Sequence, residues 1–125
     1  MKTKLFLTVQ IIAGLLLVLF GLNGILHFLP APEGNAAMSA FGGAVYQTGY
    51  IFPMMAIFQI LAGLAFLANR YVALMSVLVM PFILNAFLAH VFLDMKGIAP
   101  SLIIVTFIII TMVKNRKSYS LIFKA

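Results

Sequence analysis

Four long apolar runs, separated by short polar breaks, organise the chain. They cover about residues 5–28, 50–68, 71–93 and 98–113. An α-helix rises about 1.5 Å per residue and a hydrocarbon core is about 30 Å thick, so the longer runs can cross a bilayer, and the fourth is marginal in length. The pattern predicts an all-α fold, a four-helix transmembrane bundle in one domain that covers residues 1–125.

The first run follows Lys2 and Lys4, so a cleaved signal peptide is the competing interpretation. The apolar stretch of a signal peptide is usually about 7–15 residues long and precedes a small-residue cleavage site. This run is longer, and no convincing A-x-A sequence follows it. We therefore expect it to be a membrane helix.

The longest connection, between the first and second runs, carries a helical signal of its own. Asn35 can cap a helix in which Met38, Phe41 and Val45 recur on one apolar face. We expect a short interfacial helix between the first two transmembrane helices, lying at the outer membrane surface with Tyr46 at headgroup level. An ordered loop is the alternative.

Composition agrees with membrane insertion. Hydrophobic residues make up 65% of the chain and charged residues 8%, whereas soluble proteins have about 45–50% and about 25%. In a soluble domain the net charge of +6 would suggest binding to nucleic acid. Here the basic residues lie at chain ends and helix boundaries, as the charge bias of membrane proteins requires, so we expect no nucleic-acid partner. The absence of cysteine excludes disulfides, thiolate metal sites and thiol redox chemistry on this chain.

The distribution of basic residues predicts an orientation. Seven of the eight fall on one side of the predicted membrane, namely Lys2, Lys4, Arg70, Lys114, Arg116, Lys117 and Lys124. Lys96 alone falls on the other side. The positive-inside rule then places both termini in the cytoplasm, and the connections after the first and third spans outside.

Polar side chains interrupt the apolar runs mainly in their outer halves, where amide and ionisable groups mark packing or function. These candidate residues are Asn23, His27, Gln59, Asn85, His90 and Asp94. The inner halves offer only Gln10, Ser76 and scattered threonines, so they do not supply a continuous ion path. The distribution predicts instead a blind pocket open to the outer face and floored by Gln59 and Asn85.

Two details favour His90 as the central residue of this pocket. His90 and Asp94 are spaced i, i+4, so the carboxylate can hold one imidazole tautomer while the other ring nitrogen points inward. Pro81 removes one backbone hydrogen bond within the third span, and the resulting kink would open space beside Asn85.

Each of these polar side chains also has a purely structural interpretation. The amides can simply hydrogen-bond across helices, His27 can lie at the headgroup boundary, and His90 with Asp94 can form an ion pair at a helix end. His27, His90 and Asp94 would supply at most three metal ligands, without an HExxH signature, and two histidines alone are weak evidence for haem. No serine lies in a nucleophile elbow. We therefore assign neither a metal nor a catalytic residue.

Three stretches resemble the DoxX family of small bacterial membrane proteins. They are FGLNGILHF over residues 20–28, QILAGLAFLANR over residues 59–70 and PFILNAFLAHVFLD over residues 81–94. The resemblance implies a multi-pass four-helix protein of the bacterial cytoplasmic (inner) membrane. It also implies a link with membrane redox systems, since relatives include a thiosulfate:quinone oxidoreductase and a protein associated with superoxide dismutase. Family members often carry Glu where this chain has Gln59, and an amide cannot carry a proton, so a hydrogen-bonding role is expected there.

We therefore expect a small accessory or binding subunit, without catalytic activity of its own, whose outward-facing pocket holds a quinone or a similar headgroup for a membrane redox partner. Quinone carbonyls need hydrogen-bond donors inside an apolar slot, and His90 with Gln59 or Asn85 can provide them. One alternative is a structural or assembly protein that binds partner helices. The other is a small transporter that works as a homo-oligomer, which fits the apolar inner half less well.

Overall fold

A computed structural model describes residues 2–30 and 33–124, and this part of the chain forms helices and turns without any strand. The helices are α1 (Lys2–Leu26), α2 (Ala36–Gln47), α3 (Ile51–Ala68), α4 (Val72–Phe92) and α5 (Ile98–Lys114), followed by a 3-10 turn over Arg116–Tyr119. The prediction of an all-α fold is confirmed, with each long helix close to its predicted run.

Three of these helices are long and apolar enough to cross a membrane. They are α1, α3 and α4, with mean hydropathy values of 2.6, 2.2 and 2.3. Helix α5 is apolar but has only 17 residues. Large aliphatic side chains such as Leu15, Leu61 and Leu74 are at least half exposed on the outside of the fold. Such a continuous apolar exterior is suited to lipid and not to water, as expected of a membrane protein.

The four longer helices pack around one core. Helix α1 packs along α3 and also contacts α5, while α4 contacts both α3 and α5. Each helix contributes a fully buried side chain to the centre, namely Leu17, Phe66, Val79 and Ile108. Because lipid competes for apolar side chains as well as a protein does, this association depends on close packing rather than on hydrophobicity alone.

The closest packing is between α1 and α3, where glycines replace side chains. A Cβ atom added at Gly63 would lie 2.7 Å from the carbonyl oxygen of Gly14, and one added at Gly21 would lie 2.7 Å from Cγ1 of Ile60. Both distances are too short for real atoms, so only glycine fits. The two backbones therefore approach each other as small-residue interfaces in membranes allow.

A short helix does form between the first two long helices, although its buried face differs in detail from the predicted one. Asn35 caps α2, and its side-chain oxygen accepts a hydrogen bond of 2.9 Å from the backbone N–H of Met38. Met38, Gly42 and Val45 are the half-buried positions of α2, whereas Phe41 is exposed. These positions are spaced i, i+4, i+7 along the helix. Phe41, which the sequence pattern predicted on the buried face, therefore lies slightly to one side of it.

Hydrogen bonds between distant segments bring the basic ends of the helices together. Near the start of α1, the Gln10 amide donates to the carbonyl of Phe66 and to Oδ1 of Asn69, both at 2.9 Å and both at the end of α3. The Tyr119 hydroxyl donates to the carbonyl of Ala73 at the start of α4, at 2.9 Å. The molecule thus has two ends, one that holds both termini and one that holds α2. The length of the helices separates them.

Candidate functional site

A cavity of about 420 Å³ lies between α1, α3, α4 and α5 at the end of the bundle that carries α2. Four polar side chains reach it, Asn23, Gln59, His90 and Ser101. Most of the wall is apolar, and its larger contributors are Phe20, Leu29, Phe52, Met55, Ile83, Pro100 and Ile104. The combination of an apolar wall with a few convergent polar groups is typical of small-molecule sites, and the volume falls in their usual range.

His90 is half-buried on α4, and its surroundings define its neutral tautomer. Nδ1 lies 3.2 Å from the carbonyl oxygen of Asp94 and 3.2 Å from that of Lys96. Backbone carbonyls only accept hydrogen bonds, so Nδ1 carries the proton and donates it to them. In the neutral ring Nε2 is then a hydrogen-bond acceptor, available on a residue that lines the cavity.

The expected role of Asp94 needs correction. The ring of His90 is held by the backbone carbonyl of Asp94, not by its carboxylate. The carboxylate instead accepts hydrogen bonds from the backbone N–H groups of Asn35, at 2.8 Å, and Lys96, at 3.0 Å. Helix α4 ends at Phe92, two residues before Asp94, so the i, i+4 helical geometry is lost. Asp94 therefore does not line the cavity, and it ties the α4–α5 turn to the start of α2.

We call this arrangement of Asp94, Asn35 and Leu93 the outer clamp. The Asn35 side chain completes it by donating to the carbonyl of Leu93. The two backbone hydrogen bonds, first that from Asn35 and then that from Lys96, hold the pKa of the Asp94 carboxyl below its usual value of 3.8. The clamp holds Asn35, at the start of α2, against the turn between α4 and α5.

The outer clamp is expected to make stability depend on acid. A carboxyl with a lowered folded pKa stabilises the fold above its unfolded value, near 3.8, and loses that contribution as pH falls through the lower folded value. The melting temperature in a non-ionic detergent should therefore fall between about pH 5 and about pH 2, and Asp94→Asn should flatten that part of the profile. Glu33 is the only other acidic side chain, so Glu33→Gln is the matched control. Equal acid slopes for wild type and Asp94→Asn would contradict the role of the clamp.

Asn23 reaches the cavity, whereas His27 does not. The Oδ1 atom of Asn23 accepts a hydrogen bond of 2.7 Å from the backbone N–H of Leu29, so part of this side chain is used to fold the chain back after α1. Helix α1 ends at Leu26, and His27 is left-handed with φ of 52°. The predicted run of residues 5–28 therefore continued two residues past the end of the helix. The backbone N–H of His27 still donates to the carbonyl of Asn23 at 2.8 Å, but His27 does not line the cavity that Asn23 reaches. It is exposed and borders a separate groove beside Tyr46 and Gly49.

Gln59 contributes the other amide of the cavity. It is half-buried on α3 and lines the wall. The side-chain hydrogen bonds found among residues 2–30 and 33–124 do not include one from Gln59, so its amide can both donate to a ligand and accept from it. Ser101 donates to the carbonyl of Ile98 at 2.9 Å, and its oxygen can still accept a hydrogen bond. The cavity thus offers amide donors and imidazole, amide and hydroxyl acceptors within apolar walls.

Asn85 does not belong to the cavity, and this corrects its expected position as part of the floor. Helix α4 directs Ile83, Ala86 and His90 to the cavity. Each residue advances by about 100° around an α-helix, so Asn85 falls on the side of α4 away from these three residues. It is exposed on the outer surface of the fold. Helix α4 continues through Pro81, and Asn85 is not among the residues that line the cavity, so the opening expected beside it is not part of this cavity.

The sequence pattern missed several residues that shape the molecule. Ser101 and the aromatic walls carried no sequence signal, because a serine near a helix start and phenylalanines in apolar runs are common. Gln10 is not among the predicted site residues, yet it is only 1% exposed and bonds α1 to α3, and its Oε1 has no partner among the described residues. Its position in the most apolar part of the first run was the available signal.

No family model, curated protein or solved structure matches this chain. The resemblance to DoxX proteins thus depends on the three sequence stretches alone. In the part of the chain that the structure describes, no three histidine, aspartate or glutamate side chains come close enough together to hold a metal ion.

Proposed function

We propose that this chain is a membrane-embedded binding subunit whose cavity holds the head group of a lipid-soluble molecule, of the quinone class, for a membrane redox partner. The supporting observation is the cavity itself, in which His90 and Gln59 lie within walls made largely of aromatic and aliphatic side chains. A quinone head group is a flat apolar ring with oxygens at opposite ends. An apolar slot with hydrogen-bonding groups on different helices suits that chemistry.

The hydrogen-bonding groups suit both oxidation states of such a head group. The Gln59 amide can donate to a quinone carbonyl, and Nε2 of neutral His90 can accept from a quinol hydroxyl. The ring of His90 is already oriented by the carbonyls of Asp94 and Lys96, so a ligand would meet a fixed acceptor. This preorganisation favours binding, and nothing in it requires that the chain perform chemistry.

The test is the content of the purified protein. The full chain is isolated in a mild detergent, its lipids are extracted, and both the lipids and any copurifying proteins are identified by mass spectrometry. The proposal expects a quinone or a related prenylated ring compound in near-stoichiometric amount. Recovery of bulk phospholipid alone, with no binding of added decylubiquinone in equilibrium dialysis, would contradict it.

A second candidate function is supported by a different observation. Asn23 and Asp94 use their side chains to hold backbone segments in place, at 2.7 Å and 2.8 Å respectively. Residues used in this way are expected in a structural or assembly protein that binds partner helices without a ligand. Copurification of a stoichiometric membrane protein together with an empty cavity would favour this function. A transporter is less well supported, because the polar residues of the inner half, Gln10, Ser76 and Thr111, are packed and buried.

We further propose that α5 also crosses the bilayer, that α2 lies at its outer surface, and that the chain is a DoxX-like protein of the bacterial inner membrane. The fold supports four spans, since α5 packs against both α1 and α4 along the bundle. The basic residues at the end of the molecule that holds both termini support a cytoplasmic location for that end.

This orientation predicts the outcome of labelling in intact bacteria. The chain has no cysteine, so single cysteines introduced as Gly34→Cys and Ser118→Cys are clean reporters at exposed positions. A membrane-impermeant maleimide should label the cysteine at position 34 in intact cells and that at position 118 only after permeabilisation. The reverse pattern would show that the termini face outward.

A further inference from the structure

Helix α4 carries a regular seam of exposed residues on the side away from the cavity. Its members are Leu74, Leu78, Pro81, Asn85, Leu88 and Phe92, all exposed. Their spacing alternates between four and three residues, which is the heptad spacing of helices that pair in parallel. The seam extends over most of the length of α4, and helices α1, α3 and α5 leave it uncovered.

Asn85 is the polar position within this seam, and it lacks a partner among the described residues. The side chains of α4 that hydrogen-bond within this part of the chain are Ser76 and His90. An amide that faces hydrocarbon without a partner is unfavourable, because lipid offers it neither donor nor acceptor. Pro81 adds to this, since its missing N–H leaves the carbonyl of Val77, an exposed residue, without its usual helical donor.

We propose that the α4 seam pairs with the α4 seam of a second copy of this chain, and that the Asn85 amides of the two copies hydrogen-bond to each other. An amide carries both a donor and an acceptor, so two identical amides at a two-fold axis satisfy one another. Copies inserted in the same orientation place Asn85 at the same depth, which a parallel pair requires. The pairing of leucine side chains alone contributes little free energy of association in lipid, because the lipid tails are equally apolar. Hydrogen bonds between amides of the two helices favour this particular pairing.

This interface goes beyond the proposed binding function and is independent of it. The cavity is on the face of α4 that carries Ile83, Ala86 and His90, whereas the seam is on the opposite face. The pair therefore leaves both cavities accessible. Loss of dimerisation and loss of ligand binding are expected to arise from different substitutions.

The first test measures association in lipid. The full chain carrying Ser120→Cys, labelled with donor or acceptor dye, is reconstituted in phosphatidylcholine vesicles over a range of protein-to-lipid ratios, and energy transfer is recorded. Asn85→Leu is expected to weaken association about tenfold, and Asn85→Gln, which keeps the amide, should retain most of it. Thr106→Leu is the matched control, because Thr106 is exposed on α5 and bonds to its own helix at 2.7 Å, and it should change nothing.

The second test maps the interface without disturbing Asn85. Single cysteines introduced as Leu78→Cys and Leu88→Cys should form disulfide-linked dimers in oxidised membranes, and adding Asn85→Leu should reduce the yield. Leu64→Cys on the exposed face of α3 should not cross-link. A monomeric wild type, equal association of Asn85→Leu and wild type, or equal cross-linking at position 64 would overturn the proposal.

Discussion

Replacing Gly63 with alanine is expected to lower the free energy of unfolding by about 1–3 kcal/mol, the usual cost of overpacking. The added methyl would lie 2.5 Å from Cγ2 of Val18 and 2.7 Å from the carbonyl oxygen of Gly14. That oxygen belongs to the backbone of α1, so the two helices must separate. The measurement is unfolding of the purified protein in mixed micelles with increasing denaturing detergent.

Gly43→Ala provides the matched control for this prediction. Gly43 lies in α2, and a Cβ added there would have no neighbour within 4 Å. Since glycine weakens a helix by about 0.5–1 kcal/mol relative to alanine, this substitution should be neutral or slightly stabilising. Equal effects of the two substitutions would show that the close approach of α1 and α3 does not determine stability.

The second large effect is expected at the cavity, where His90→Leu should reduce retained ligand about tenfold or more. A ligand hydroxyl that loses its acceptor among the apolar walls of the cavity is left unpaired, which costs about 1–3 kcal/mol. The protein itself loses only the Nδ1 hydrogen bonds to the carbonyls of Asp94 and Lys96 in the α4–α5 turn. The free energy of unfolding should therefore change by about 1 kcal/mol or less. Ligand content and unfolding are therefore measured on the same preparation.

Two further variants separate a binding role of His90 from its role in the turn. Gln59→Leu alters the part of the cavity wall that α3 contributes, without removing a hydrogen bond within the described protein, and it should also reduce ligand retention. Asn85→Leu exchanges an amide on α4 outside the cavity and should leave ligand retention unchanged. If His90→Leu and Gln59→Leu both kept ligand at the wild-type level, the structural function would be preferred.

Local patterns in the sequence were sufficient to place the helices to within a few residues. Apolar runs of sufficient length predicted the long helices, and Asn35, as a capping residue, predicted the start of α2. The end of α1 was harder to predict. The side chain of Asn23 accepts a hydrogen bond from the backbone N–H of Leu29, six residues later, and the chain turns at His27. The helix therefore ends although residues 26–28 include the apolar Leu26 and Phe28.

The composition of the candidate site was partly accessible from sequence. The rule that polar side chains in membrane helices face the interior brought Asn23, Gln59 and His90 to one cavity. The same rule placed Asn85 wrongly. It assumes that a polar side chain in a membrane helix finds hydrogen-bond partners only in the interior of its own chain. An interface with a second copy can provide such partners as well, and the sequence of one chain does not distinguish the two environments.

The sequence by itself determined that this is a helical membrane protein and where its helices lie, because helix formation and lipid affinity are properties of consecutive residues. Only the tertiary structure decided which face of each helix turns inward. Nearly every face is apolar, so the hydrophobic pattern carries almost no directional information. Direction is set instead by close contacts such as that between Gly14 and Gly63, by the hydrogen bond that Gln10 donates to the carbonyl of Phe66, and by the one that Asp94 accepts from the N–H of Asn35. These contacts depend on how the helices meet, and that is why the cavity around His90 and the exposed position of Asn85 appear only in the folded chain.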